Sequence, residues 1–141
     1  MNWFPAIGLA LAIGAPLPKE KVEAPNIVAE WVATGSIQDD EFIPLAEPKI
    51  LVLEIQAGGQ FRTLLNGEES DVGTYKVGSA KRPAEIDLSF KSESKPYLAI
   101  FKIEKDTLTL SHEYEPGAKR PTNFKSADRR IVTTFQRVKK E

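Results

Sequence analysis

The stretch "LSHEYEPGAKRPTNF", residues 110–124, holds the one histidine of the 141-residue chain, His112, with Glu113 and Glu115 close behind it. A histidine beside carboxylates has the makings of a metal site or of a general base with its orienting partner. A transition-metal site needs several converging ligands. One imidazole, with carboxylates on alternate faces of an extended chain, falls short of that. A Ser-His-Asp triad would have to use His112, and no serine stands in a nucleophile elbow. The chain has no cysteine, which removes disulfides, thiolate nucleophiles, cysteine metal sites and a lipid-bearing anchor. The acidic clusters Asp39-Asp40-Glu41 and Glu68-Glu69-Asp71 read as solvated loops or turns whose oxygen spacing fits no recognised calcium loop. Gly58-Gly59 and Gly117 are turn glycines that open no helix, so a phosphate cradle is unsupported. These residues imply no catalytic site, no metal and no cofactor.

Length and composition describe one ordinary globular domain, with 41% hydrophobic and 28% charged residues. The net charge of −1 conceals an asymmetry. Residues 116–141 carry eight Lys/Arg against Asp128 and Glu141, so the acid excess lies upstream. A basic segment can attract nucleic acid. Here it lacks the interleaved aromatics that single-strand binders use, and it reads as solvated strand ends and a loop.

"MNWFPAIGLALAIGAPLP" has no charge before Lys19. Its apolar run is too short to span a bilayer but suits the core of a signal peptide. Ala12-Ile13-Gly14 is a small-x-small pattern, which puts the cut before Ala15. No Lys or Arg precedes the run, so the n-region charge is the amino terminus alone. Residues 15–26 then read as a Pro-rich, charged linker. The expectation is export to the periplasm or the medium, with no membrane span after processing.

From Ile27 onward the pattern is short runs of period two divided by turn residues, the mark of an antiparallel barrel or sandwich. Eight strands are expected: "NIVAEWVATG", "KILVLEI", "FRTLL", "VGTYKVG", "AEIDLSFK", "YLAIFKIE", "TLTLSHEY" and "RIVTTFQRV". Asn66-Gly67 marks a type I′ hairpin. Residues 36–47 and 114–129 are expected as longer connections, the second an exposed connector with a helical turn at "SADRR". Eight strands suit an up-and-down barrel around a side-chain-filled or ligand-sized interior. A two-sheet sandwich is the competing architecture.

Parity places Trp31, Leu51, Leu53, Ile55, Phe61, Leu65, Tyr75, Val77, Ile86, Leu88, Phe90, Tyr97, Phe101, Ile103, Leu108, Leu110 and Phe135 inside. Arg137 shares that face on the last strand, and a charged group there needs a partner. If the barrel closes, the first strand lies beside the last, and the indole of Trp31 can take the guanidinium of Arg137.

Three segments, "RPAEIDLSF", "YLAIFKIEKDTLTL" and "PGAKRPTNFKS", in that order and spacing and ending in "RVKK", resemble the lipocalin-like domain found in many copies in planctomycete genomes, a conserved hypothetical family. "EWVATG" resembles that family's opening Trp strand, and "GTYKV" its middle strand. The resemblance covers about residues 27–140. It implies a small lipocalin-type barrel, usually behind a secretion signal or a larger domain, with an arginine of the last strand over the first-strand tryptophan. It implies no activity. Two positions depart from the family pattern: Ala29, where a glycine is common, and Ser111, where a cysteine is common.

The expected function is a non-catalytic, monomeric exported barrel that binds a small apolar or amphipathic molecule and no nucleic acid. The candidate interior contacts are Phe61, Tyr75, Phe90, Tyr97, Phe101 and His112, while Trp31 and Arg137 are structural. The alternative is a structural or protein-interaction module of the cell envelope, its barrel fully packed. An enzyme comes third.

Overall fold

A computed structural model describes residues 26–39, 41–44, 50–78 and 82–139. The expected signal segment, residues 1–14, and nearly all of the 15–26 linker lie outside them. Nine strands form: β1 Ala29–Gln38, β2 Glu41–Pro44, β3 Leu51–Gln56, β4 Gln60–Leu65, β5 Glu68–Gly78, β6 Ala84–Phe90, β7 Tyr97–Glu104, β8 Thr107–Glu113 and β9 Arg130–Arg137. From β3 to β9 every strand pairs antiparallel with the next, and β3 pairs with β1. The pairing of β9 with β1 closes the sheet. Eight strands thus make an antiparallel barrel, and the open sandwich is excluded.

Local chemistry sets the turns. Asn66 and Gly67 both adopt positive φ, 54° and 86°, as a type I′ turn requires. Close packing sets another position. A Cβ on Gly73 would collide with the Ser89 carbonyl oxygen and sit 2.8 Å from the Phe61 ring. The bare backbone of β5 is what lets that ring lie inside the barrel.

The inner face follows the alternation. Trp31, Leu53, Ile55, Phe61, Ile86, Leu88, Phe101, Leu108, Leu110 and Phe135 form the core, and Leu51, Tyr75, Val77, Phe90, Tyr97 and Ile103 pack against it. Leu65 is a correction. It has the inner parity but is the last residue of β4, at the rim, and stays exposed.

Three further expectations are corrected. The 36–47 connection contains β2, which pairs with the second half of β1 through Gly35↔Pro44 to Gln38↔Glu41. All four β2 residues are exposed, so backbone pairing makes this strand without any periodic burial to announce it. Glu41 lies on β2, and Glu68, Glu69 and Asp71 lie on β5, rather than in loops or turns. At "SADRR" there is a single turn, closed by Arg130 N donating to the Ala127 carbonyl, and no helix.

The 114–129 connection is also more than an exposed connector. It lies against the outer face of the barrel. Arg120 reaches Asp87 at 2.7 Å and Glu85 at 3.5 Å, and donates to the Ala99 carbonyl at 2.9 Å. Pro121 is buried, and Lys102 sits 4.9 Å from the centre of the Phe124 ring. The outward row Ile100, Ser111 and Val132, in register across β7, β8 and β9, is buried to 1%, 0% and 1% exposure. Two faces of these strands are therefore covered, and the apolar area added outside stabilises the closed sheet as the core does. The Ser111 hydroxyl has no hydrogen-bond partner among the described residues.

Candidate functional site

The two ends of the barrel differ. At one end Arg137 and Trp31 face each other across β9 and β1. The guanidinium carbon lies 4.5 Å from the centre of the indole, and Trp31 is wholly buried. Its Nε1 donates to the Ile27 carbonyl at 2.9 Å, which satisfies the one polar atom of the ring. Asp106, on the turn between β7 and β8, holds Arg137 Nε at 3.2 Å. This end is packed shut.

The opposite end is hollow. A cavity of about 250 Å³ lies between Leu51 and Leu53 of β3, Thr63 of β4, Leu88 and Phe90 of β6, Tyr97 of β7, Leu110 and His112 of β8, and Thr133 and Phe135 of β9. These residues share the barrel interior because their positions alternate along the strands. A ladder of edge-to-face rings runs along the wall: Phe61 to Phe90 at 4.9 Å, Phe90 to Tyr97 at 5.6 Å, and Tyr97 to His112 at 5.1 Å.

Of the six candidate contacts, Phe90, Tyr97 and His112 line this cavity. Phe61 and Phe101 are core residues with 2% and 1% exposure. Tyr75 is tied down, its hydroxyl donating to the Gln56 carbonyl at 2.7 Å. Leu51, Leu53, Leu88, Leu110 and Phe135 were legible as interior residues, but not as the hollow half of it. Thr63 and Thr133 carry the right parity yet were passed over for their polarity.

His112 is positioned by its own backbone. Its Nδ1 lies 2.7 Å from the Glu113 carbonyl oxygen. A carbonyl only accepts, so Nδ1 carries the proton and Nε2 presents a lone pair. Burial pushes its pKa below the ordinary value, against an opposing pull from the Glu113 carbonyl and charge. Burial also raises the Tyr97 pKa, with a smaller contribution from Glu93. Both rings are neutral at neutral pH, and among the described residues no carboxylate, lysine or arginine lines the cavity.

Several other charges form ion pairs on the barrel wall and its loops. Glu54 accepts from Arg62 Nε at 2.6 Å, and this hydrogen bond, above all, holds the Glu54 pKa below the usual carboxylate value. Glu69 also faces Arg62, at 3.5 Å. Arg130 donates to Glu113 at 2.9 Å, and Arg129 meets Glu115 at 3.1 Å. With Arg120 and Arg137, four cations of the basic segment thus answer acids of the barrel and its loops. Among the described residues no group of three His, Asp or Glu side chains is placed to hold a metal ion, and no helix is long and apolar enough to cross a membrane.

Compared with known proteins, the chain matches no family model and no curated sequence.

Proposed function

We propose that the chain is a non-catalytic exported barrel that holds one small apolar or amphipathic molecule at its open end. The observation that carries this reading is the cavity: about 250 Å³, walled mainly by Leu and aromatic side chains, with a few polar groups at its rim. By proportion with an apolar cavity of about 150 Å³ that takes benzene, it suits a molecule of about ten heavy atoms. Rim groups among Leu residues are what an amphipathic ligand needs, since its polar end must stay satisfied when buried. The non-catalytic part of the reading is supported by His112, whose Nδ1 is tied to its own backbone and whose ring makes no hydrogen bond to a hydroxyl or carboxylate among the described residues. As part of the same reading the chain is a monomer of the planctomycete lipocalin-like family, without cofactor, nucleic acid or membrane span.

Native mass spectrometry of protein purified from its own host tests this. The bound form should carry a small adduct that disappears in Leu88→Trp, which fills the cavity. Protein that is adduct-free, and that binds nothing from a small-molecule library, contradicts it. The same spectrum tests export, because mature protein should begin at Ala15.

A second reading, a docking module, has its own support. Phe42, Ile43, Ile50 and Leu65 are exposed apolar side chains near the rim, on β2, at the start of β3 and at the end of β4. It predicts that changing Phe42 and Ile43 to Ser abolishes capture of an envelope protein, and that the purified chain carries no small-molecule adduct.

A further inference from the structure

We propose that the cavity selects an uncharged ligand of single-ring size that donates one hydrogen bond to Nε2 of His112. This rests on the ligand-binding reading above and names the ligand's chemistry.

Selection begins at the cavity wall. Its apolar part discriminates by shape alone, since Leu and Phe side chains offer no directional contact. Direction must come from Tyr97, His112, Thr63 and Thr133. Thr63 is already engaged, its hydroxyl 2.8 Å from the Ser70 hydroxyl. The hydroxyls of Tyr97 and Thr133 rotate and serve either as donor or as acceptor. His112 differs. With Nδ1 held at the Glu113 carbonyl, the ring cannot exchange tautomers without losing that bond. Its free nitrogen is a fixed acceptor. A ligand hydroxyl or N–H satisfies it, whereas a hydrocarbon that covers it leaves a buried lone pair unpaired.

Charge narrows the class further. An anion would bury its charge among Leu51, Leu53 and Leu110 against a lone pair, and a cation would find no carboxylate among the described residues of the wall. Either arrangement is strongly unfavourable in an apolar site. The neighbourhood of His112 preserves this state. Tyr97 on β7 faces it as a neutral phenol. On its own strand Glu113 turns its carboxylate to Arg130, and the paired residue on β9 is Ile131. Glu93 and Tyr114 lie beyond Tyr97.

Three probes of similar shape test the proposal: phenol, toluene and benzoate, titrated into the full chain near pH 7.5 with methyl NMR as readout. Phenol should bind about fivefold tighter than toluene, the value of one added neutral hydrogen bond, and benzoate should not bind. In His112→Phe the preference for phenol should vanish while toluene still binds. In Tyr97→Phe it should persist. Equal affinity for phenol and toluene in the unaltered chain overturns the proposal and leaves the ligand-binding reading standing, as does a preference that survives His112→Phe. Failure of all three probes overturns both. If His112→Phe does not fold, the unaltered chain decides. As His112 protonates in acid, Nε2 becomes a donor and benzoate should begin to bind, while a phenol oxygen can accept from the same nitrogen, so the phenol comparison is read near pH 7.5. Benzoate that stays excluded once His112 is protonated contradicts the proposal.

Discussion

His112 lines the cavity, and its energetics can be read by pH. It is the only histidine, and there is no cysteine, so the interval from about pH 6.5 down to pH 5 contains little else that titrates. Its folded pKa lies below the unfolded value because burial disfavours the cation. The unfolded chain therefore binds the proton first. Stability should be full above about pH 6.5 and fall as pH drops from there toward the folded pKa, then level off as far as this residue is concerned. Urea midpoints measured through that interval should decline in the unaltered chain and stay flat in His112→Phe. An equal decline in both would show that burial of His112 is not its source. At the other end of the barrel, Trp31→Ala should cost about 3–5 kcal/mol, since it opens a cavity at a wholly buried position. Arg137→Ala should cost about 1–2 kcal/mol from lost stacking and stem burial. Arg137→Lys should not restore it, because an ammonium lacks the flat face that covers the indole. These values are checked by chemical denaturation.

Alternation made most of the strands legible. "AEIDLSF" could be split residue by residue into an inner and an outer face, and Asn66-Gly67 gave the hairpin its turn type. What failed did so for physical reasons. Strand β2 has no buried face, so a pattern based on burial could not detect it. Leu65 obeys parity, but parity says nothing about where along the barrel axis the core ends. The 114–129 segment looked like a solvated connector because its anchors are charged. Arg120 is bound by side chains and carbonyls more than twenty residues away, which no local pattern reports. Its covering role carries a prediction. Arg120→Ala should cost about 2 kcal/mol, in line with hydrogen bonds to a charged group, and should expose the bonds after Lys119 and Lys125 to trypsin. A true connector would tolerate the change within about 0.5 kcal/mol. The split between an acidic upstream portion and a basic end, visible from composition alone, is the sequence trace of that docking.

At the scale of the molecule, closure and hollowness are separate properties. Closure follows from β9 pairing with β1, and the Trp31–Arg137 contact, foreseen from parity, reports it at one end. Hollowness follows from how large side chains are distributed along the axis. Trp31, Phe61 and Phe101 are fully buried, while Phe90, Tyr97 and Phe135 stand around the space at the other end without filling it. A count of aromatics in the sequence could not distinguish these arrangements, because volume depends on where rings stack and on glycines such as Gly73 that let them tilt. This barrel is packed at the Trp31 end and empty at the His112 end. Crystals pressurised with xenon test it most directly, since apolar cavities of this size take up the gas. One well-occupied xenon site should appear among Leu53, Leu88, Leu110 and Phe135, and none beside Trp31. A barrel without xenon at those four residues, or with xenon beside Trp31 instead, would contradict it.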